Sequence, residues 1–158
     1  MSLLSPLIPF RLQPPTPRLR EGYRLLDNPE LPAEALNQLL LQVGEHPRSP
    51  ERWQSVLVRS NWWFGVVNES RAHLVGFVRV TSDMALNANL WDLVADANDP
   101  AETEVYLALV GAALGRLRRE LSGCSISLAA PPAALEALTQ HGFVIDPGGI
   151  RAMGLPLG

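Results

Sequence analysis

Apolar residues recur along this chain in two rhythms, and the switches between them mark out its elements. Gly22–Asp27 (GYRLLD) reads as a short strand, closed by the turn signal Asn28-Pro29. From Pro32 the period lengthens. Leu36, Leu39, Leu40 and Val43 form one stripe of a helix over Pro32–Val43, with proline accepted in the first turn and Gly44 ending it. Ser49 is placed to cap a second helix, in which Trp53, Val56 and Leu57 share a face. The period then falls to two. WWFGVVN (Trp62–Asn68) and AHLVGFVRVT (Ala72–Thr81) flank a polar turn and predict a hairpin, and ANLWDLVA (Ala88–Ala95) predicts the next strand.

A long helix follows, capped by Asp99 and running to about Leu121, with Gly123 at the helix-ending left-handed position. SISLA (Ser125–Ala129) predicts a buried strand, and Pro131-Pro132 opens a helix to Gln140. Gly142–Asp146 and Arg151–Leu155 read as final strand pieces around Pro147-Gly148-Gly149. A meander followed by a strand–helix–strand crossover predicts an α/β (α+β) domain. Its sheet is mixed, mostly antiparallel and twisted, with about six strands and helices on both faces. No repeat or linker divides residues 22–158, which read as a single domain. Residues 1–21 hold Pro6, Pro9, Pro14, Pro15 and Pro17 and read as a proline-rich flexible tail.

Composition narrows the chemistry. The net charge is −3, so no basic field suggests a nucleic-acid partner. All 13 basic residues are arginine, which removes lysine-based mechanisms such as Schiff bases and P-loop phosphate binding. Cys124 is alone, and His46, His73 and His141 show no ligand spacing, so no metal site is expected. No apolar run is long enough to cross a bilayer, which makes a cytoplasmic protein the expectation.

Several stretches carry a resemblance: LVGFVRVTSD (Leu74–Asp83), NANLWD (Asn87–Asp92), ISLAAP (Ile126–Pro131) and HGFVIDPGGIRAM (His141–Met153). With the element order, they resemble the GNAT superfamily of acetyl-CoA-dependent N-acetyltransferases. The nearest branch is the cyanobacterial and chloroplast group that includes serotonin N-acetyltransferase-like enzymes. The resemblance covers about Gly22 to Leu155. It implies the GNAT fold, acetyl-CoA as cofactor, and three chemical requirements. The pantetheine arm pairs with the backbone of the fourth strand, here Leu93, Val94 and Ala95, which splays from the fifth. The pyrophosphate rests on the N-terminus of the next helix. A general base takes a proton from the amine, and an acid, usually tyrosine, protonates the departing thiolate.

Set against those requirements, the loop DANDPAETEV (Asp96–Val105) is rewritten. The family's Gln/Arg-x-x-Gly-x-Gly/Ala pattern places Pro100, Thr103 and Val105 at its defining positions. Proline lacks an N–H, and Cβ-branched side chains crowd a phosphate approach. Thr103, Val105 and Tyr106 are the cofactor-side candidates. Asp99, with Glu102 three places on, instead reads as a capping box, and Glu102 and Glu104 favour the helix dipole while repelling an anion. The family's tyrosine position falls at Leu138, leaving Tyr106 as the alternative phenol, although its place on the pyrophosphate helix makes packing the expectation for it. Ala108, Gly111, Ala112 and Gly115 form a small-residue face suited to close packing. Asp92 is the base candidate, on the expectation that a carboxylate in a partly apolar strand has a raised pKa. Asp83, Asn87, Asn89 and Trp91 are the acceptor-side candidates, with turn chemistry the other reading of Asp83 and Asn87.

Three readings follow. One is a divergent member with weakened or lost catalysis that binds a small ligand or a protein partner. The second is a working N-acetyltransferase that acts on a small amine with an unusual CoA-binding mode. The third is a homo-oligomeric scaffold, and a homodimer is compatible with all three.

Overall fold

A computed structural model describes residues 18–157. Most of the expected tail, residues 1–17, lies outside the described residues. Its last part is docked: Leu19 packs on the core, and Arg20 reaches the long helix.

The strands are β1 (Tyr23–Asp27), β2 (Trp62–Asn68), β3 (His73–Ser82), β4 (Asn87–Ala95) and β5 (Ser125–Ser127). They lie in sequence order, antiparallel from β1 to β4, with β5 parallel to β4. Helices α1 (Ala33–Leu41) and α2 (Pro50–Arg59) precede the meander, α3 (Glu102–Glu120) bridges β4 to β5, and α4 (Leu135–Gln140) follows.

The local rules hold where they concern neighbours in sequence. Ser49 Oγ accepts the Arg52 N–H at 3.2 Å, with Pro50 in the first turn of α2. Period-two strands bury residues on both faces, and this gives two cores. Val66, Val78, Val80, Leu90 and Leu93 pack with α3 and α4. Phe77, Val94, Leu36, Leu39 and Trp53 pack on the α1 side. Trp62 joins the first core, while its neighbour Trp63 packs against the second, as strand alternation requires.

Three expectations change. Residues Gly142–Asp146 and Arg151–Leu155 are not strands, so the sheet has five strands rather than about six among the described residues. Asp146 has φ 46°, Pro147 has no N–H, and Val144 is 74% exposed, so this segment does not pair, and beyond Phe143, which packs against the first core, its apolar side chains are exposed. The second change concerns the small-residue face of α3. Ala108 is buried, but Gly111, Ala112 and Gly115 are only half-buried, and the closest approach of helix to sheet is made at β3. A Cβ on Gly76 would collide with Val105 Cγ1 and stand 3.0 Å from Leu109 Cδ1, so the glycine lets α3 lie against the sheet. The third is the start of α3, where helix begins at Glu102 and Asp99 caps the preceding turn.

Candidate active site

The site is built on an irregularity of β4. Its register against β3 steps from Phe77↔Val94 to Arg79↔Trp91, leaving Asp92 and Leu93 opposite Val78. Asp92 sits at φ 55°, a left-handed conformation that aspartate tolerates better than most residues. Such a bulge bends the strand. On its other edge, β4 pairs with β5 only through Asn87↔Ser125, Ala88↔Ile126 and Asn89↔Ser127. Beyond Asn89, the β4 edge carries no strand partner among the described residues, although Leu90, Leu93 and Ala95 are buried; this unpaired edge is the slot between the two strands. Asp96 donates its N–H to Val75 O at 2.8 Å. Strand N–H groups alternate in direction, so the Ala95 N–H turns away from β3 and into that slot.

Tyr106 meets it there. Its side chain is buried among the α3 core residues, with its hydroxyl beside the Ala95 backbone N–H. Burial pushes the phenol pKa up, and the Ala95 amide opposes part of that rise. Leu138, at the position where the resemblance implies a tyrosine, is buried in the same core. His141 Nε2 lies 3.0 Å from Leu107 O and ties the end of α4 to α3.

The loop from β4 to α3 consumes its own donors. Ala97 N–H goes to Gln42 Oε1 at 2.9 Å and Asn98 N–H to Asp96 Oδ1 at 2.9 Å. Asp99 N–H goes to Asp96 O, and Ala101 N–H to Asp99 Oδ1 at 2.8 Å. Glu102 N–H goes to Asp99 O, and Pro100 has none to give. Asp99 also accepts the Tyr23 hydroxyl at 2.6 Å and Asn68 Nδ2 at 3.3 Å. Burial opposes ionisation of Asp99, but the bonds from Tyr23, Ala101 and Asn68 outweigh it and hold the pKa below the usual carboxylate range. Glu104 pairs with Arg20, whose guanidinium also reaches Pro100 O. The reciprocal capping box does not form, because the Glu102 side chain makes no hydrogen bond among the described residues.

The cofactor-side candidates divide. Leu93 lies in the β4 bulge, while Val94 and Ala95 pair regularly with Phe77 and Gly76, and Ala95 turns its N–H to the unpaired edge. Thr103 is exposed on the first turn of α3. Val105 is fully buried over Gly76, so its side chain belongs to the packing of helix on sheet.

On the acceptor side, Asp83 closes the β3–β4 turn. Its carboxylate accepts the N–H groups of Ala85, Leu86 and Asn87, and its pKa falls to about 2. Asn87 Nδ2 also bonds it at 3.4 Å, so both residues serve the turn. Asn89 bonds Ser127 Oγ at 2.8 Å, where β4 and β5 are still paired. Trp91 is 44% exposed and donates its indole N–H to Thr81 Oγ1 at 2.7 Å.

The expectation for Asp92 is reversed. Arg48 bonds both of its oxygens at 2.9 Å, and Arg79 Nε bonds Oδ2 at 2.7 Å. Burial would raise the pKa, but the two guanidiniums outweigh it and hold the carboxyl below its ordinary value. A carboxylate so held is a weak base. Arg48 is itself fixed: Asn37 of α1 accepts its backbone N–H at 2.9 Å and donates to its carbonyl at 2.8 Å. Its guanidinium lies 4.6 Å from the Trp53 ring centroid, and that of Arg79 lies 5.6 Å from the Trp91 centroid. Sequence reasoning passed over both arginines. Arg79 two places from Thr81 on a strand could have signalled a side chain facing Trp91; nothing in the sequence marks Arg48. Among the described residues, no cluster of His, Cys, Asp and Glu suits a metal.

Known proteins bear on this geometry. No protein-family model matches the chain. It is 31% identical over 123 residues to the uncharacterized N-acetyltransferase ycf52 of Porphyra purpurea, covering 75% of this chain and 68% of that one. The chain belongs to the GCN5-related N-acetyltransferase family. It is also 30% identical to the chloroplastic GCN5-related N-acetyltransferase 1 of Arabidopsis thaliana, covering 76% of this chain and 60% of that relative. Solved structures share the fold at lower identity. A Trypanosoma brucei acetyltransferase superposes with a TM-score of 0.62 at 18% identity, covering 85% of this chain and 99% of that one. A GNAT-family acetyltransferase of Streptococcus pneumoniae gives 0.59 at 15% identity, covering 86% and 98%. The expected fold and superfamily are thus established, with five strands in place of about six.

Proposed function

We propose that this family member is an N-acetyltransferase for a small amine that grips acetyl-CoA by its arm and only weakly by its pyrophosphate. The observation that carries this reading is the β4 edge left unpaired beyond Asn89, with the Ala95 N–H turned away from β3 and the Tyr106 hydroxyl beside it. An extended amide-bearing arm fits such an edge, because it supplies the hydrogen-bond partners that a further strand would supply. The pyrophosphate does not fit as well. The loop donors from Ala97 to Glu102 are already taken, and Glu102 and Glu104 lead the helix.

When bound, acetyl-CoA supplies an acetyl group activated as a thioester. The chain's own residues do the rest. Tyr106 Oη holds a proton in reserve at the slot, and its raised pKa keeps that proton in place at neutral pH. The β4 bulge aims the strand edge, and the Asp92–Arg48–Arg79 cluster fixes the bulge. The amine's proton leaves to water at the slot mouth, since Asp92 is held ionised as a weak base. One observation favours a binding role without catalysis: Leu138 stands where the resemblance implies the acid. Whether Tyr106 replaces that acid separates the two readings.

The test is calorimetric titration with acetyl-CoA and, in parallel, with acetyl-pantetheine, which lacks the pyrophosphate. We expect both to bind, with affinities within roughly tenfold of each other, about 1.4 kcal/mol. Failure of both to bind overturns the reading. A large preference for acetyl-CoA shows a working pyrophosphate cradle and overturns the arm-held mode.

A further inference from the structure

Arg79 is held on two sides and open on the third. Its Nε bonds Asp92 Oδ2 at 2.7 Å, and its guanidinium stacks over the half-exposed Trp91 ring. Its two terminal nitrogens make no hydrogen bond among the described residues, and its side chain keeps 16% of its surface exposed. Charge points the same way. The one carboxylate of Asp92 is shared by two guanidiniums, and it already gives both oxygens to Arg48. Glu45, the other acid near this cluster, acts on Arg48. Arg79 is therefore left with a planar pair of terminal N–H donors that no acceptor among the described residues takes.

We propose that the acceptor of this site is a small amino-carboxylate, such as a free amino acid, whose carboxylate binds the open edge of Arg79 while its side chain lies against Trp91. This rests on the reading of the slot as an acetyl-transfer site. A carboxylate accepts two parallel N–H bonds from the end of a guanidinium, and the fork is already oriented by Asp92 and Trp91, so little freedom is lost on binding. Trp91 stands two places beyond Asn89, the last β4 residue paired with β5, so a ligand anchored there lies at the mouth of the slot. An amine without a carboxylate would leave the two terminal N–H donors of Arg79 without an acceptor.

The experiment uses the full chain and reads quenching of tryptophan fluorescence, with Trp91→Phe showing which part of the signal arises at this ring. The probes are a panel of common L-amino acids, each with its methyl ester and its decarboxylated amine, for example phenylalanine, phenylalanine methyl ester and phenethylamine. We expect at least one amino acid to bind roughly 10- to 100-fold more tightly than its ester and its amine, the range for hydrogen bonds to charged groups. Arg79→Gln should bring that ratio close to one, and Arg79→Lys should keep part of it. The comparison in the unmodified protein stands even if the variants fold poorly. Equal or tighter binding of the esters or amines, or no Trp91-dependent quenching by any amino acid, overturns the inference. Acetyl-CoA titration is scored separately. If acetyl-CoA binds and the amines are preferred, only this inference fails; if amino acids bind with the expected preference and acetyl-CoA does not, the acetyl-transfer reading fails and the carboxylate site stands.

Discussion

Replacing Asp92 by Asn removes one charge and little else. Asn is nearly the same size, tolerates the left-handed backbone at φ 55°, and can still accept one hydrogen bond. What it leaves behind are two guanidiniums with no counter-charge between them. Exposed ion pairs are worth about 0–1 kcal/mol, and breaking a buried one costs about 3–5 kcal/mol. Here the Asp92 side chain is 8% exposed, Arg48 20% and Arg79 16%, which sets this cluster nearer the buried limit. The expected loss is therefore about 2–4 kcal/mol, or a Tm lower by roughly 5–12 °C for a domain of this size. Urea unfolding of Asp92→Asn, Arg48→Met and the double variant measures it. The two changes should not add, and a coupling energy above about 1 kcal/mol is expected for groups in direct contact. Additive losses, or an Asp92→Asn loss below about 0.5 kcal/mol, would refute the account. The pH dependence has a fixed sign. The folded pKa of Asp92 is depressed, so its contribution is present above the unfolded carboxylate value of about 3.9 and is lost as pH falls through the lower folded value. The stability difference between the parent and Asp92→Asn should therefore shrink only in acid.

Gly76→Ala should cost about 1–3 kcal/mol through overpacking against Val105 and Leu109, and a smaller loss in a Val105→Ala background, read by denaturant unfolding, would tie the cost to that contact. Tyr106→Phe should lower kcat by about 100-fold or more if the phenol is the acid, with the KM for acetyl-CoA nearly unchanged. On that reading the raised pKa keeps the phenol of the parent protein protonated, so the rate should fall only above the ordinary tyrosine range; an unaltered kcat in the variant removes Tyr106 from the chemistry. The double change Glu102→Gln and Glu104→Gln should tighten acetyl-CoA several-fold at low salt and leave acetyl-pantetheine unmoved, since the repulsion acts on the pyrophosphate. Calorimetry at two ionic strengths checks this, and equal effects on both ligands would show that the acids act elsewhere.

Periodicity alone determined the two early helices, the meander, the crossover and the two-sided burial of the sheet. The β4–α3 loop was also legible: Pro100 without an N–H and Asp99 with its carboxylate announce a segment that satisfies its own donors. These features depend on groups a few residues apart, so composition and spacing suffice. The rest was decided in three dimensions. Asp92 looked like a base because its strand is apolar, yet its partners stand 44 and 13 residues away, and their guanidiniums, not the strand, set its pKa. The bulge that aims the slot is a register shift between two strands, visible in neither strand alone. The last two expected strands had the right apolar content, but β5 pairs through only three residues of β4, and the chain beyond it turns at Asp146 with most of its apolar side chains in solvent. A strand needs a partner edge as well as a pattern, and a titrating group answers to whatever charge the fold brings beside it; both are properties of distant segments brought together, which one-dimensional spacing does not encode.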